Sequence, residues 1–280
     1  MQINSVKDFL IYVQTELKAN RLKLPTLPDI AIKVRDAVSD SNVTANKIAQ
    51  IISTDPALSA RLIQVANSPL YRGSSEISNI QTAIIRLGNG TIRTLVTSLV
   101  TQQMFDAHSP LLKDYFQQIW EQSVNVSAIC RVLSNNVPYL DKEEAMLAGL
   151  IHQIGKLPIL ALVDKMPEFK NSPSRIDKLL EVAHPHVGKL IMDSWHFPAE
   201  LKKATYEYIN FERNSGAQAD YVDVVQVAFL QSIIGTDHPA TRIDWKTVPA
   251  FTKLGLETDV EVLEIEGLSD EIELTLATFF

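Results

Sequence analysis

From Ala145 to Val163 the only polar side chains are His152, Gln153 and Lys156. This run constrains the fold more than any other part of the chain. A membrane-spanning helix wants about 20 consecutive, predominantly apolar residues. Three polar side chains and Pro158 in the middle of the stretch do not meet that condition. A helix that is apolar all round belongs in the core of a folded protein. The segment therefore reads as a buried core helix, interrupted at Gly155 and Pro158. The polar pair His152-Gln153 inside it must be satisfied by something, because an unpaired polar group in an apolar interior costs roughly 2–7 kcal/mol.

Helical periodicity dominates the rest of the chain. Leu24-Pro25-Thr26-Leu27-Pro28 is a stiff entry, after which Ile30, Val34, Ala37 and Val38 share one helical face. Asp40-Ser41-Asn42 breaks that helix, and Thr44 caps the next, which carries Ile48, Ile51 and Ile52. Asp55 suits an N-cap and Pro56 the first helical position, where its missing N–H costs nothing. Leu58, Leu62, Val65 and Ala66 give that helix a buried side. Further helices are expected over 81–87, stopped by Gly88, and from Ile92 to Leu99. Others are expected over 111–136, 178–195, 199–211 and 221–235. The segment 106–110 reads as a boundary. Two-residue alternation is confined to Val260-Glu261-Val262, continued by Glu264-Ile265-Glu266. The expected class is all-α.

With 280 residues the chain has room for one large domain or two packed subdomains. Its one cysteine, Cys130, excludes an internal disulfide and a thiolate metal cluster. The N-terminal residues show no basic region followed by an apolar run, so no secretory signal is expected and a cytoplasmic location is. The formal charge of -7 argues against binding a nucleic-acid backbone. The helix pair over Thr44–Asn67 could be read as a DNA-binding helix-turn-helix, but it offers only Arg61, Gln64 and Asn67 to a groove. The acid concentrates in residues 257–273, which hold eight acidic and no basic side chains. Its plain reading is a solvated tail face; its sharper reading is a docking site for a basic partner.

Six histidines are present. His108 and His238 lie in loops, and His196 at a helix end; none has an evident chemical partner nearby in sequence. His184-Pro185-His186 resembles a chelate, but side chains two apart on a helix face different ways. Pro185 suggests a helix start there, which leaves His184 alone facing inward. His152 next to a carboxylate could hold a metal, but its neighbour is Gln153, a poor ligand for a catalytic divalent cation. On its own His152 reads as a hydrogen-bonded core histidine, and Lys156 as a surface or helix-end lysine that could meet an anion.

Taken in order, several stretches resemble the HDOD domain, a branch of the HD superfamily of metal-dependent phosphohydrolases. They are Leu24 to Pro28, Asp55 to Leu58 with Ala66-Asn67-Ser68-Pro69-Leu70-Tyr71, and Ile77 to Gly88. Further on come Trp120-Glu121-Gln122-Ser123, Ala148 to Lys156, His184 to Gly188, and Trp195-His196-Phe197-Pro198. The resemblance implies a five-helix N-terminal subdomain (1–106) packed on an HD-like helical bundle (107–240), followed by an acidic extension (241–280).

The resemblance also implies a ligand set. The first histidine of HD enzymes falls near Ser123, their His-Asp pair on His152-Gln153, and a downstream histidine on His184. A later histidine pair falls near Glu207-Tyr208, and the final aspartate on Phe229. Two nitrogens without a carboxylate do not hold a catalytic metal pair, so neither metal nor other cofactor is expected. The expected role is a non-catalytic regulatory module acting on a protein partner, or sensing a nucleotide or other small anion, with no membrane contact. The alternative is a divergent phosphohydrolase using His152, His184 and a carboxylate such as Glu181 or Glu207.

Overall fold

A computed structural model of the chain describes residues 6–18, 24–105, 112–166, 169, 172–258 and 268–277. Every regular element among them is helical. The α-helices are α1 (Val6–Lys18), α2 (Asp29–Val38), α3 (Ala45–Ile52), α4 (Pro56–Ala66), α5 (Ile80–Leu87), α6 (Asn89–Gln102) and α7 (Lys113–Leu133). They continue as α8 (Lys142–Ile151), α9 (Lys156–Val163), α10 (Pro173–Ser194), α11 (Ala199–Ala204), α12 (Tyr221–Ser232), α13 (Pro249–Lys253) and α14 (Leu268–Leu276). The alternating stretch 260–266 and His108 lie outside the described residues, as does the boundary segment 106–110.

Local chemistry sets the helix starts. Thr44 accepts from Lys47 N, Asp55 Oδ1 from Leu58 N at 3.0 Å, and Asn79 from Thr82 N. Asp141 accepts from two amides at the start of α8, and Asp220 with Asp223 forms a reciprocal capping box on α12. Each such cap is worth about 1 kcal/mol. Gly88, at φ 82, ends α5 and starts α6 in a conformation that L side chains rarely adopt.

Helices α2 to α6 close around Val34, Ile48, Ile52, Leu62, Ile92 and Leu95, all buried. These five helices pack on one another, while α1 packs on α10. Asn67, a candidate base contact in the helix-turn-helix reading, is committed internally: its amide bonds both Ile77 O and Ile77 N at 2.8 Å.

The second bundle is built on α7, which packs against α8, α12 and α14. The crossing with α8 is close. A Cβ on Gly149 would lie 2.7 Å from Ser127 Cα, and Ser127 Oγ donates to Met146 O at 2.8 Å.

Four expectations need correction. The apolar run is interrupted once, not twice: α8 ends at Ile151 and α9 begins at Lys156, with His152 to Gly155 as a turn, and Pro158 lies inside α9. The reason is at Gly155, where a Cβ would sit 2.1 Å from His184 O and 2.6 Å from Gly188 N. The chain bends there so that its backbone can touch α10. Second, Pro185 lies inside α10, which starts twelve residues earlier at Pro173. Third, the helix expected over 199–211 stops at Ala204 and gives way to turns. Fourth, the acidic tail is not wholly solvated: Glu271 on α14 pairs with the buried Arg131 at 2.8 Å, and Ile272 is buried.

The two bundles meet at a polar seam. Trp195, just past α10, donates from Nε1 to Pro25 O at 2.8 Å, and its carbonyl accepts from Arg35 Nη1 at 2.6 Å. Arg93 on α6 pairs with Glu144 on α8 at 2.6 Å, and Tyr71 donates to Glu143.

Candidate functional site

The turn between α8 and α9 brings His152 and Gln153 to the centre of the second bundle, both fully buried. His152 Nδ1 lies 2.6 Å from Gly149 O, one turn back on α8. A carbonyl only accepts, so Nδ1 carries the hydrogen and Nε2 is the acceptor. Facing Nε2 at 2.8 Å is the amide nitrogen of Gln153, whose other hydrogen goes to Gln122 Oε1 at 2.8 Å. The amide orientation follows from this pattern, since an oxygen placed against Nε2 would oppose two lone pairs.

His184 repeats the arrangement on α10. Its Nδ1 lies 2.7 Å from Leu180 O, and its Nε2 accepts from Tyr208 OH at 2.8 Å. Tyr208 fills the space between the two histidines, its ring edge-on to His152 at 4.9 Å and to Phe229 at 5.3 Å. Burial, aided by the charge of Lys156, pushes the His152 imidazole down to about 3, and moves His184 well below its ordinary range for the same reasons. Burial and the Glu181 carboxylate raise the Tyr208 phenol, which keeps its proton to donate. Both imidazoles are neutral, and both Nε2 lone pairs are already used by donors of the same chain.

That donor set does not fit the metal centre implied by the resemblance. An ion needs the Nε2 lone pairs and at least one carboxylate beside them. Here an amide and a phenol occupy the lone pairs. Among the described residues no three His, Cys, Asp or Glu side chains are grouped to hold an ion.

The structure thus brings His152, Gln153, His184 and Phe229 together. Ser123 is buried on α7 next to Gln122, and its Oγ lacks a hydrogen-bond partner, as does Gln153 Oε1. Glu207 turns away into a salt bridge with Arg213 Nε at 2.7 Å, and its neighbour Tyr208 is the residue at the centre.

A cleft of about 720 Å³ opens beside this cluster, lined by His184, Tyr208 and Phe229 among others. Lys156 also lines it. It is the first residue of α9, as a helix-end lysine should be, but it is partly buried and not a surface residue. Burial pulls its ammonium down to about 8 against the opposing pull of Glu181 and Asp177. Asp177 and Glu181 sit one turn apart on α10, and Asp177 accepts from Tyr115 OH at 2.9 Å. His238 is a lining residue that the sequence did not point to. Its ring meets Phe229 edge-on at 5.2 Å, and its Nδ1 accepts from Ala240 N. No local pattern around it signals this, since the contact joins a loop to a helix through tertiary packing.

Comparison with known proteins places this architecture. The crystal structure of a Shewanella amazonensis SB2B protein, assigned provisionally as a metal-dependent phosphohydrolase, superimposes with a TM-score of 0.83. It is 26% identical, and the match covers 98% of this chain and 99% of that one. An HDOD domain protein of unknown function from Geobacter sulfurreducens has a TM-score of 0.66 at 22% identity, over 94% of this chain and 95% of that one. An uncharacterized protein of Treponema pallidum (strain Nichols) is 20% identical over 184 residues. That match covers 62% of this chain but 35% of the other, so the chain spans about a third of the length of this curated relative. A family model of the HDOD domain matches residues 24–210, well over half of the chain, from the Leu24–Pro28 entry to the turn beyond Tyr208, and the chain belongs to the HDOD domain family.

Proposed function

We propose that this HDOD chain is a non-catalytic regulatory module of bacterial cytoplasmic signalling. It passes on a signal through contact with a protein partner, and its cleft receives a small ligand. The observation that carries this reading is the double capping of His152 Nε2 by Gln153 and of His184 Nε2 by Tyr208. Metal-assisted hydrolysis starts from an ion that lowers the pKa of its bound water. Nitrogens whose lone pairs are taken by an amide and a phenol hold no such ion without breaking two buried hydrogen bonds.

The competing reading is a metal-dependent phosphohydrolase that uses His152 and His184 with Glu181. It draws on the likeness to the Shewanella amazonensis protein and on the presence of Glu181 in the cleft. Metal content of the purified chain, followed by hydrolysis of a generic phosphodiester with added manganese, separates the two. The module reading expects substoichiometric metal and no turnover. Stoichiometric metal together with turnover abolished by His152→Ala would overturn it.

A further inference from the structure

The cleft holds an unusual set of charges. The Lys156 ammonium has no ion pair or hydrogen bond among the described residues, although burial disfavours its charge. Asp177 and Glu181 act on it electrostatically from α10 but make no ion pair with it. The histidines that feel the Lys156 charge, His152, His184 and His238, are all shifted toward neutrality, so they add no positive charge to the cleft. The formal balance along the lining is one positive group against two negative ones. Phe211 and Phe229 add apolar surface to the lining, their rings nearly parallel at 16° and 6.5 Å.

This pattern does not suit a nucleotide. A phosphate would meet one lysine and two carboxylates, with no arginine among the lining residues. A ligand with one carboxylate and one protonated amine fits each group: its carboxylate neutralises Lys156, and its amine answers Asp177 and Glu181. The volume of about 720 Å³ lies in the range of small-molecule sites.

We propose that the cleft binds a small organic zwitterion, of the amino-acid type, with its carboxylate on Lys156, its ammonium toward Asp177 and Glu181, and its apolar side chain against Phe211 and Phe229. This rests on the reading of the cleft as a ligand chamber. Bound carboxylate would restore the Lys156 ammonium toward its ordinary range, so binding would take up protons at pH values above about 8.

The test is calorimetric titration and thermal shift on the full chain. The probes are phenylalanine and leucine, the single-charge analogues phenylpropionate and phenethylamine, and adenosine monophosphate. A zwitterion is expected to bind at least tenfold more tightly than either single-charge analogue and than the nucleotide. Lys156→Met should remove the preference for phenylalanine over phenethylamine, and Asp177→Asn with Glu181→Gln the preference over phenylpropionate. Both variants change cleft-facing side chains without touching the capped histidines, and circular dichroism checks that they fold. Absence of binding by both amino acids, tighter binding of the nucleotide, or zwitterion affinity unchanged in both variants would overturn the proposal. Failure here with no metal and no turnover leaves the regulatory reading standing. Metal-dependent turnover removes that reading whatever the titrations show.

Discussion

Tyr208→Phe isolates one of the two caps. The substitution keeps the ring, which packs edge-on against His152 and Phe229, and removes only the hydroxyl that donates to His184 Nε2 at 2.8 Å. His184 cannot compensate by flipping, because its Nδ1 is committed to Leu180 O at 2.7 Å. Both residues are buried, and a water entering from the cleft they line would bring the cost toward the lower end of the range. A buried acceptor left without a partner costs about 1–3 kcal/mol. At about 2–4 °C per kcal/mol for a chain of this class, the melting temperature should fall by roughly 2–12 °C. Urea denaturation of the wild type and the variant at pH 7 measures the difference directly, and the slope m should be unchanged. A loss below about 0.5 kcal/mol, or a gain, would refute the assignment of His184 Nε2 as a lone pair satisfied by the chain itself.

Other perturbations act elsewhere in the same frame. Gly155→Ala places a methyl 2.1 Å from His184 O, a backbone atom that cannot swing aside. It should cost about 3 kcal/mol or more by chemical denaturation, the upper range for overpacking, and a near-neutral result would contradict the close approach. Arg131→Met leaves Glu143 and Glu271 without their buried partner. A loss of about 3–5 kcal/mol is expected, with faster proteolysis near α14; an unchanged cleavage pattern would count against α14 being held there. For Lys156 the folded value of about 8 lies below the ordinary 10.5. Between these pH values the unfolded chain keeps a proton that the folded chain has released, so stability rises with pH. Relative to Lys156→Met, the wild type should therefore gain up to on the order of 3 kcal/mol from pH 7.5 to 10.5. A flat difference between the two denaturation series would show the ammonium to be well solvated.

Much of the frame is legible in the chain because its causes are local. Asp55-Pro56, Thr44 and Gly88 act within one turn of themselves, and the structure has helix boundaries at each. The break at His152 is less legible. Its cause is a backbone contact with α10, made possible by Gly155 but specified by a residue about thirty positions away. The same limit applies to the cluster itself. Sequence shows that His152 and Gln153 need partners; it does not show that they serve each other, because neighbouring side chains on a continuous helix diverge. Only the turn lets Gln153 fold back on His152. Glu207 and Tyr208 are adjacent in sequence, and which of them faces inward depends on where α11 ends. His238 enters the cleft from a loop beyond α12 and leaves no periodic trace.

The far end of α10 adds something to this picture. The helix runs 22 residues without a break, despite Pro185. Its middle supplies Asp177, Glu181 and His184 to the cleft, and Trp195, just beyond its end, is held on both sides by Pro25 and Arg35 of the other bundle. At 1.5 Å per residue, His184 and Trp195 lie about 16 Å apart along one axis. Cleft lining and bundle fastening are thus parts of a single rod, so any tilt of α10 at the cleft would carry Trp195 and its bonds to the N-terminal helices with it.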